Sequence, residues 1–358
     1  MSMRVTDFDF ELPAELVAQE ARPRGESRLL VLNRASGAIE HSSVADLPAF
    51  LQPGDLLVVN NTRVFAARLL GHRVPSGGAV ECLLVRQIPP EPSASSEPAE
   101  YWEALMHPGQ KLKPGALVRF EGDGGVLMAE VLARHFQGRR TVKLWAQRGS
   151  DVSTLIDALG HVPLPPYIKR ADTPADRDRY QTVFARVRGS IAAPTAGLHF
   201  TPAILDALAT RGIEHAQVTL HVGYGTFKPV KVDRVEDHVV DQEHYAIDDD
   251  AAARIERARS EGRRVIAVGT TTTRALEDAA IKGGGRVGVG DAAADLFIYP
   301  GFSFQVVSGL MTNFHLPRSS LLMLVSAFAG RERVLHAYAE AVAERYRFYS
   351  YGDAMLIV

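Results

Sequence analysis

The sequence predicts an α/β protein, with a mixed α/β main domain and an inserted antiparallel β-barrel domain. Two observations carry this. Strand-like and helix-like segments alternate in the first sixty residues and again from Val152 onward. Between about Ala66 and Ala146 the apolar runs shorten and turn signals recur, at Ser76-Gly77-Gly78, Pro108-Gly109, Pro114-Gly115, Gly122-Asp123-Gly124-Gly125 and Gly138. That spacing suits a small antiparallel barrel or sandwich. At roughly 150 residues per domain, 358 residues correspond to two domains or three. The economical reading is a discontinuous catalytic domain, 1–65 plus 148–358, interrupted by a β domain at 66–147.

The elements follow in order. Arg28 to Asn33 reads as a strand, Ala35-Ser36-Gly37 as a turn and Ala38 to Ser43 as a second strand. Asp46 to Leu51 is a short helix closed by Pro53-Gly54. Asp55 to Val59 is a buried strand ending in Asn60-Asn61-Thr62-Arg63. Within the β block, the Pro/Ser/Glu-rich stretch Pro89 to Glu100 has nothing to build a core and reads as a solvated hairpin loop. Ser190 to Ala193 is a strand. Thr201-Pro202 opens a helix with a hydroxyl cap and proline at its first position, ending at Gly212. Gln217 to His221 is a strand, and Asp248 to Glu261 a helix with acids in its first turn. Val265 to Val268 is a buried strand running into Gly269 and a helix from Arg274. Leu296 to Tyr299 reads as another strand, and Ser319 to Ala329 and Glu332 to Arg345 as the last helices.

Composition excludes several classes. Hydrophobic residues make up 46% and charged residues 23%, which rules out a disordered chain. The longest apolar stretch, Leu321 to Gly330, is broken by Ser326 and is too short to span a bilayer. Acids stand near the N-terminus where a signal peptide needs an apolar segment, so a cytoplasmic protein with no membrane partner is expected, as a monomer. The single cysteine, Cys82, excludes an internal disulfide and any cysteine-based zinc or iron–sulfur site. Formal charge is 40 − 42 = −2, which argues against generic coating of nucleic acid but leaves room for a local basic patch.

Four turns carry candidate chemistry. Gly269 with Thr270 to Thr273 and Arg274 lies where a strand becomes a helix, a place that favours an anionic or polar ligand; plain helix capping would need only one threonine. The stretch Pro194 to Thr201 has the same topology, with His199 at its mouth. The stretch Leu220 to Phe227 holds His221 and Tyr224, which can move protons, and two glycines that allow close approach; its bland reading is a Gly-rich turn. Asn313, His315 and Arg318 form a polar knot before a serine-capped helix. The string Gly283 to Gly288 matches a dinucleotide fingerprint but follows a helix, so it reads as a loop. The 12 histidines show no helical metal-ligand pair, and His238 to His244 reads as an exposed acidic loop, so no metal is expected. No G-x-S-x-G elbow occurs. Arg134, Arg139, Arg140, Lys143 and Arg148 form an acid-free run interleaved with Phe136 and Trp145, either a phosphate grip or an ordinary solvated strand face. Arg22, Arg24, Arg28 and Arg34 form a second, weaker cluster.

Taken in order, the strings FELPAELVAQ, SRLLVL, GDLLVVNNTRV, KLKPG, APTAGLHFT, VTLHVGYGTF, RVIAVGTTTTRALE, FIYPG, TNFHLPRSSLLMLVSAFAG and YRFYSYGDAML resemble the S-adenosylmethionine:tRNA ribosyltransferase-isomerase family of queuosine biosynthesis. They span nearly the whole chain. The resemblance implies transfer and isomerisation of the ribosyl part of S-adenosylmethionine onto 7-aminomethyl-7-deazaguanine at the wobble position of tRNA. The products are epoxyqueuosine in tRNA, adenine and methionine. S-adenosylmethionine is then a consumed substrate, and no bound cofactor is expected. The chain departs from the family pattern at Phe65-Ala66, and at Asp241, where the pattern has a histidine.

Such a reaction needs a base beside a sulfonium, a proton for departing adenine and oriented hydroxyls. The expected catalytic residues are His199, His221, Tyr224 and His315, with base and acid unassigned among them. The expected substrate-binding residues are Asn61, Thr62, Arg63, Thr195, Gly197, Thr226, Phe227, Thr271, Thr272, Arg274, Asn313 and Arg318. Arg139, Arg140 and Lys143 are expected on tRNA phosphates. The three imidazoles, with Tyr224, Thr271, Arg274, Asn313 and Arg318, should line one cleft facing the inserted domain. Two alternatives remain at this point: an S-adenosylmethionine-dependent RNA methyltransferase, whose Gly-rich turn and strand-ending acid are not found, and a non-catalytic RNA-binding protein, which would not need so many polar turns at strand ends.

Overall fold

A computed structural model of the chain describes residues 3–90, 98–147, 150–223, 225 and 230–358. In chain order the elements begin with β1 (Arg28–Leu32), β2 (Ile39–Ser43), the single-turn helix α1 (Leu47–Phe50), β3 (Leu56–Asn60) and β4 (Thr62–Val64). Six strands follow: β5 (Arg68–Val74), β6 (Ala79–Ile88), β7 (Glu100–His107), β8 (Leu117–Gly122), β9 (Gly125–Arg134) and β10 (Arg139–Ala146). Next come α2 (Val152–Leu159), α3 (Asp176–Arg179), β11 (Val187–Ser190), α4 (Pro202–Thr210), β12 (Glu214–Leu220) and β13 (Glu243–Ile247). The remainder is α5 (Asp249–Ser260), β14 (Val265–Val268), α6 (Thr270–Lys282), β15 (Gly290–Ala294), β16 (Gly309–Asn313), α7 (Ser320–Ala329), α8 (Arg331–Ala343) and β17 (Ala354–Ile357).

The chain divides into two compact units: Met1–Arg63, Pro166–Arg170 and Arg179–Val358, and Val64–Pro165 with Ala171–Asp178. The second unit is a closed antiparallel barrel in the order β10-β7-β6-β5-β8-β9. Its strands alternate as the pleat demands: in β10, Arg140, Val142 and Leu144 are buried while Arg139, Thr141 and Lys143 are not. Gly71 is required because a Cβ there would lie 2.4 Å from the Arg119 carbonyl and 2.5 Å from the Phe120 ring. The compact unit runs past the expected boundary at 147. The reason is α2: capped by Asp151, which accepts from the Thr154 N–H, it buries Leu155 and Ile156 and packs on β8, β9 and β10.

The first unit is built on a nine-stranded mixed sheet, in the order β15-β13-β12-β3-β14-β16-β17-β1-β2. Strands β12, β3, β14 and β16 are parallel, and β17 runs antiparallel to β16. Both faces are covered, so the central strands are largely apolar, with Asn60, Thr312 and Asn313 at their carboxyl ends. Leu56, Val58, Val265, Ala267 and Leu310 face the core made with α5, α6, α7 and α8. Leu57, Val59, Ile266, Val268 and Met311 face the smaller core under α1 and α4. Two sequence expectations are corrected. Leu296 to Tyr299 is not a strand; the strand of that region is β15, at Gly290–Ala294, and Ile298 packs into the core from irregular chain. The segment read as an exposed acidic loop ends in β13, where Glu243 is buried. Among the described residues no helix is long and apolar enough to cross a membrane.

Candidate active site

Because β12, β3, β14 and β16 are parallel, their carboxyl ends share one edge. The start of β17 joins them, since Asn313 is in register with Ala354. Ligands of open α/β sheets bind beyond such an edge. A pocket of about 520 Å³, partly open to solvent, lies there. Its polar wall comes from the turn after β14 and the end of β16.

The β14 turn is made by Gly269 at φ +95°, a conformation that excludes most side chains. Gly269 caps α6 without any side-chain cap hydrogen bond. The four threonines that follow divide their work. The hydroxyls of Thr272 and Thr273 donate to the carbonyls of Val268 (2.8 Å) and Gly269 (3.1 Å), bracing the first turn. Thr270 and Thr271 line the pocket, where the first turn of α6 offers N–H groups and a partial positive charge.

Asn313, 3% exposed, ends β16 in the same pocket. Its Nδ2 donates to the Tyr349 carbonyl (3.1 Å) and to His199 Nε2 (3.2 Å). A carbonyl can only accept, so the amide orientation is fixed. Both amide hydrogens are then used, His199 Nε2 must be an acceptor, and its ring carries the proton on Nδ1. Among the described residues, the buried Oδ1 of Asn313 has no hydrogen-bond partner.

The histidines differ sharply. Burial pulls His199 down to about 4, against the opposing charge of Asp353 and the bond to Asn313. Burial takes His315 to about 3; its Nε2 meets Thr312 Oγ1 at 2.9 Å and its backbone N–H donates to Tyr338 Oη at 3.1 Å. Both rings are neutral at pH 7, and both are weak bases. His221 is only partly buried, and burial followed by nearby His244 lowers it. Its Nδ1 lies 2.8 Å from Thr62 Oγ1.

An aromatic wall completes the pocket. Tyr349, at φ +75°, meets Tyr167 edge-on with ring centroids 3.9 Å apart. The Tyr167 hydroxyl bonds to Ser350 Oγ. Burial raises Tyr167 well above its ordinary value and Tyr349 to about 12, so both phenols stay neutral. Among the described residues no group of three or more His, Cys, Asp or Glu is placed to hold a metal ion.

The family model described as Queuosine biosynthesis protein matches residues 5–357. The chain belongs to this family. It is 52% identical over 357 residues to the S-adenosylmethionine:tRNA ribosyltransferase-isomerase of Heliobacterium modesticaldum, covering 99% of this chain and 100% of that protein. It is 50% identical to the enzyme of the same name from Aquifex aeolicus, with the same coverage. The crystal structure of S-adenosylmethionine tRNA ribosyltransferase from Thermotoga maritima superposes with a TM-score of 0.54 at 37% identity, over 98% of this chain and 100% of that one.

For this member of the queuosine biosynthesis family, the structure sorts the residues singled out by sequence. Thr195, Thr271, Asn313 and His315 line the pocket. His199 stands behind Asn313, and His221 pairs with Thr62 beside the pocket residue Val222. Thr272 is spent on the helix turn. Gly197 packs on Thr182, 2.9 Å from where its Cβ would be. Asn61 Oδ1 accepts from Thr219 Oγ1 at 2.7 Å, a structural bond, and Arg63 is exposed.

Three arginines are corrected. Arg274 is buried, its guanidinium donating to Glu243 Oε2 (2.7 Å) and to the carbonyls of Leu296 and Ala294, so it does not line the pocket. Arg318 is bound to Asp9, with over half its side chain exposed. Arg140, 1% exposed, points into the barrel and donates to the carbonyls of Leu112, Arg139 and Gly109, so it cannot reach a phosphate. Arg139 lies 3.6 Å from Glu103, and Lys143 Nζ lies 5.8 Å from the Trp145 ring centre, both on the outer face of β10. Tyr224, Thr226 and Phe227 lie outside the described residues. Sequence reasoning missed Tyr167, Tyr349 and Ser350; the one signal available was the string YRFYSYGDAML, which named no ligand group.

Proposed function

We infer that this protein is an S-adenosylmethionine:tRNA ribosyltransferase-isomerase, a transferase of tRNA queuosine modification. It consumes S-adenosylmethionine, moves its ribosyl part onto 7-aminomethyl-7-deazaguanine at the wobble position of tRNA, and releases adenine and methionine. The reading assigns no resident cofactor. Catalysis belongs to the discontinuous sheet unit, with the barrel as an inserted module whose Arg139 and Lys143 contact tRNA phosphates.

Asn313 carries the reading of the site: a buried carboxamide with an unpartnered acceptor oxygen, one strand away from a helix N-terminus. Adjacent strand ends lie about 5 Å apart. That pair suits the zwitterionic end of S-adenosylmethionine, with its carboxylate on the N–H groups of α6 and Thr271, and its ammonium on Asn313 Oδ1. The rings of Tyr167 and Tyr349 suit the sulfonium cation beyond. Removal of a proton next to sulfur falls to His221, the imidazole least depressed by burial, held by Thr62. His199 positions Asn313 and takes no part in proton transfer.

The test measures adenine release from S-adenosylmethionine in the presence of substrate tRNA. Asn313→Ala should raise KM for S-adenosylmethionine by roughly 100-fold, as expected when a buried partner of a charged group is lost. His221→Gln should bind both substrates and lose roughly 100-fold in turnover. Near-normal turnover of His221→Gln would remove imidazole from the proton transfer. An unchanged KM for Asn313→Ala would move the zwitterion elsewhere.

A further inference from the structure

Strand β4 begins with Thr62, which is 1% exposed, and its hydroxyl lies 2.8 Å from Nδ1 of His221, the residue after β12. One side chain clamps both backbones. Asn60, at the end of β3, accepts on Oδ1 from the N–H groups of Thr62 (3.0 Å) and Leu220 (3.1 Å), and its Nδ2 donates to the Leu220 carbonyl (2.8 Å). The His221 N–H donates to the His244 carbonyl at 3.0 Å. Strand β11 supplies a wall for the ring. A Cβ on Gly189 would lie 2.6 Å from Cε1 of the imidazole and 2.8 Å from each of its nitrogens, so only glycine lets this backbone lie against it. Next along the chain from His221, Val222 lines the pocket.

A neutral imidazole has one N–H and one bare nitrogen, and the bare one is the base. The Thr62 hydroxyl decides between them, because it has a single hydrogen to give. That hydrogen is buried and needs an acceptor. Among the described residues two lie within reach: His221 Nδ1, and the Val187 carbonyl of β11 at 3.4 Å. Pointed at Nδ1, the hydroxyl would consume the lone pair there and leave the ring hydrogen on Nε2, so no base would remain. Pointed at Val187, it leaves its oxygen free to accept from Nδ1–H, and Nε2 keeps its lone pair. Among the described residues Nε2 has no hydrogen-bond partner.

We propose that Thr62 and Gly189 are positioning residues for the proton transfer: the Thr62 hydroxyl, turned to the Val187 carbonyl, fixes the His221 hydrogen on Nδ1 and keeps Nε2 bare, and Gly189 makes room for the ring in that place. The proposal rests on the reading of His221 as the base. In the step itself a C–H bond next to sulfur breaks and an Nε2–H bond forms. The electron pair stays on the carbon beside the sulfonium, and the imidazolium keeps its Nδ1–H on Thr62. Both residues act through the imidazole.

The hydrogen is located by nitrogen NMR of the full-length, 15N-labelled protein near pH 8, where the ring is neutral. The His221 signals are identified by their loss in His221→Gln. Wild type should show Nδ1 protonated and Nε2 bare. Thr62→Val keeps the shape and removes the hydroxyl. His221 should then become a mixture of both tautomers, and turnover by adenine release should fall roughly 10-fold, with KM for S-adenosylmethionine and for tRNA held. Thr62→Ser keeps the hydroxyl and should recover the wild-type spectrum and most of the turnover. Gly189→Ala displaces the ring and should cost roughly 100-fold in turnover at the same KM values. If that variant fails to fold, the two Thr62 variants carry the test. A hydrogen on Nε2 in wild type, with His221→Gln inactive, overturns the proposal alone, as does a Thr62→Val protein with the spectrum and turnover of wild type. Near-normal turnover of His221→Gln overturns the reading of the base, and the proposal with it.

Discussion

Strand β10 of the barrel and helix α6 of the sheet unit each carry an arginine of the type that grips anions, and each buries it. Arg140 answers only to carbonyl oxygens, of Leu112, Arg139 and Gly109. Arg274 answers to a carboxylate, Glu243, as well as carbonyls. In neither place does the charge of the side chain decide where it points. On a strand, parity decides: Arg140 shares its face with Val142 and Leu144, so it goes inward with them. On a helix, position along the axis decides: Arg274 lies one turn past Thr270 and Thr271 on the same side of α6, and its guanidinium reaches β13 and β15 instead of the pocket at the first turn. A basic residue can serve a ligand only where the backbone leaves it on an open face, as for Arg139 and Lys143 on the same strand.

Arg274→Met takes the guanidinium away from the buried Glu243 carboxylate and should cost about 3–5 kcal/mol of stability, read by denaturant unfolding. Adding Glu243→Gln should recover part of the loss. If the single variant is as stable as wild type, the pair is not the anchor described.

A pH series comes next in size. His199 falls from an ordinary 6.5 to about 4 in the folded chain, so the unfolded chain binds the proton more readily. Stability is full above pH 6.5, declines as pH falls below it, and levels off near pH 4. The loss should be on the order of 3 kcal/mol, and His199→Gln should lack it. Superimposable pH profiles for the two proteins would mean that the ring is not held neutral.

Arg140→Met should cost less than Arg274→Met, about 2 kcal/mol, because it leaves carbonyls and no charge behind. No second substitution of an acid should rescue it, and that asymmetry is the sharpest form of the contrast. Smallest is the outer face of β10. Lys143→Gln should leave stability within about 0.5 kcal/mol and reduce the salt slope of tRNA binding by about 1. A stability loss equal to that of Arg140→Met would mean that strand parity does not separate the two positions.

The same logic explains what the sequence revealed. The closely spaced glycine and proline turns marked the barrel, and Gly269 and the threonines marked the edge where the pocket opens. Leu296 to Tyr299 looked like a strand because an apolar run reads alike whether it pairs or merely packs. Glu243 and His244 hid β13, since a buried carboxylate looks exposed until its arginine, 31 positions on, is known. Tyr167 and Tyr349 meet across 182 positions, so no local pattern joins them. Arg140 was misplaced because charge was weighed before parity.

Strand β17 sits between β16 and β1, so the last strand of the sheet to be synthesised fills a slot flanked by the first. Until residues 354–357 have emerged from the ribosome, β1 and β16 each present a row of unmatched backbone groups, and Asn313 faces the place where Ala354 will lie. Assembly of the sheet therefore waits for residues 354–357. A nascent chain halted before Ala354 should be a client for chaperones and a poor ligand binder, while the barrel, whose last strand ends at Ala146, can close about 200 codons earlier. A stop codon at any of residues 354–357 should thus be as damaging as one in the middle of the sheet unit.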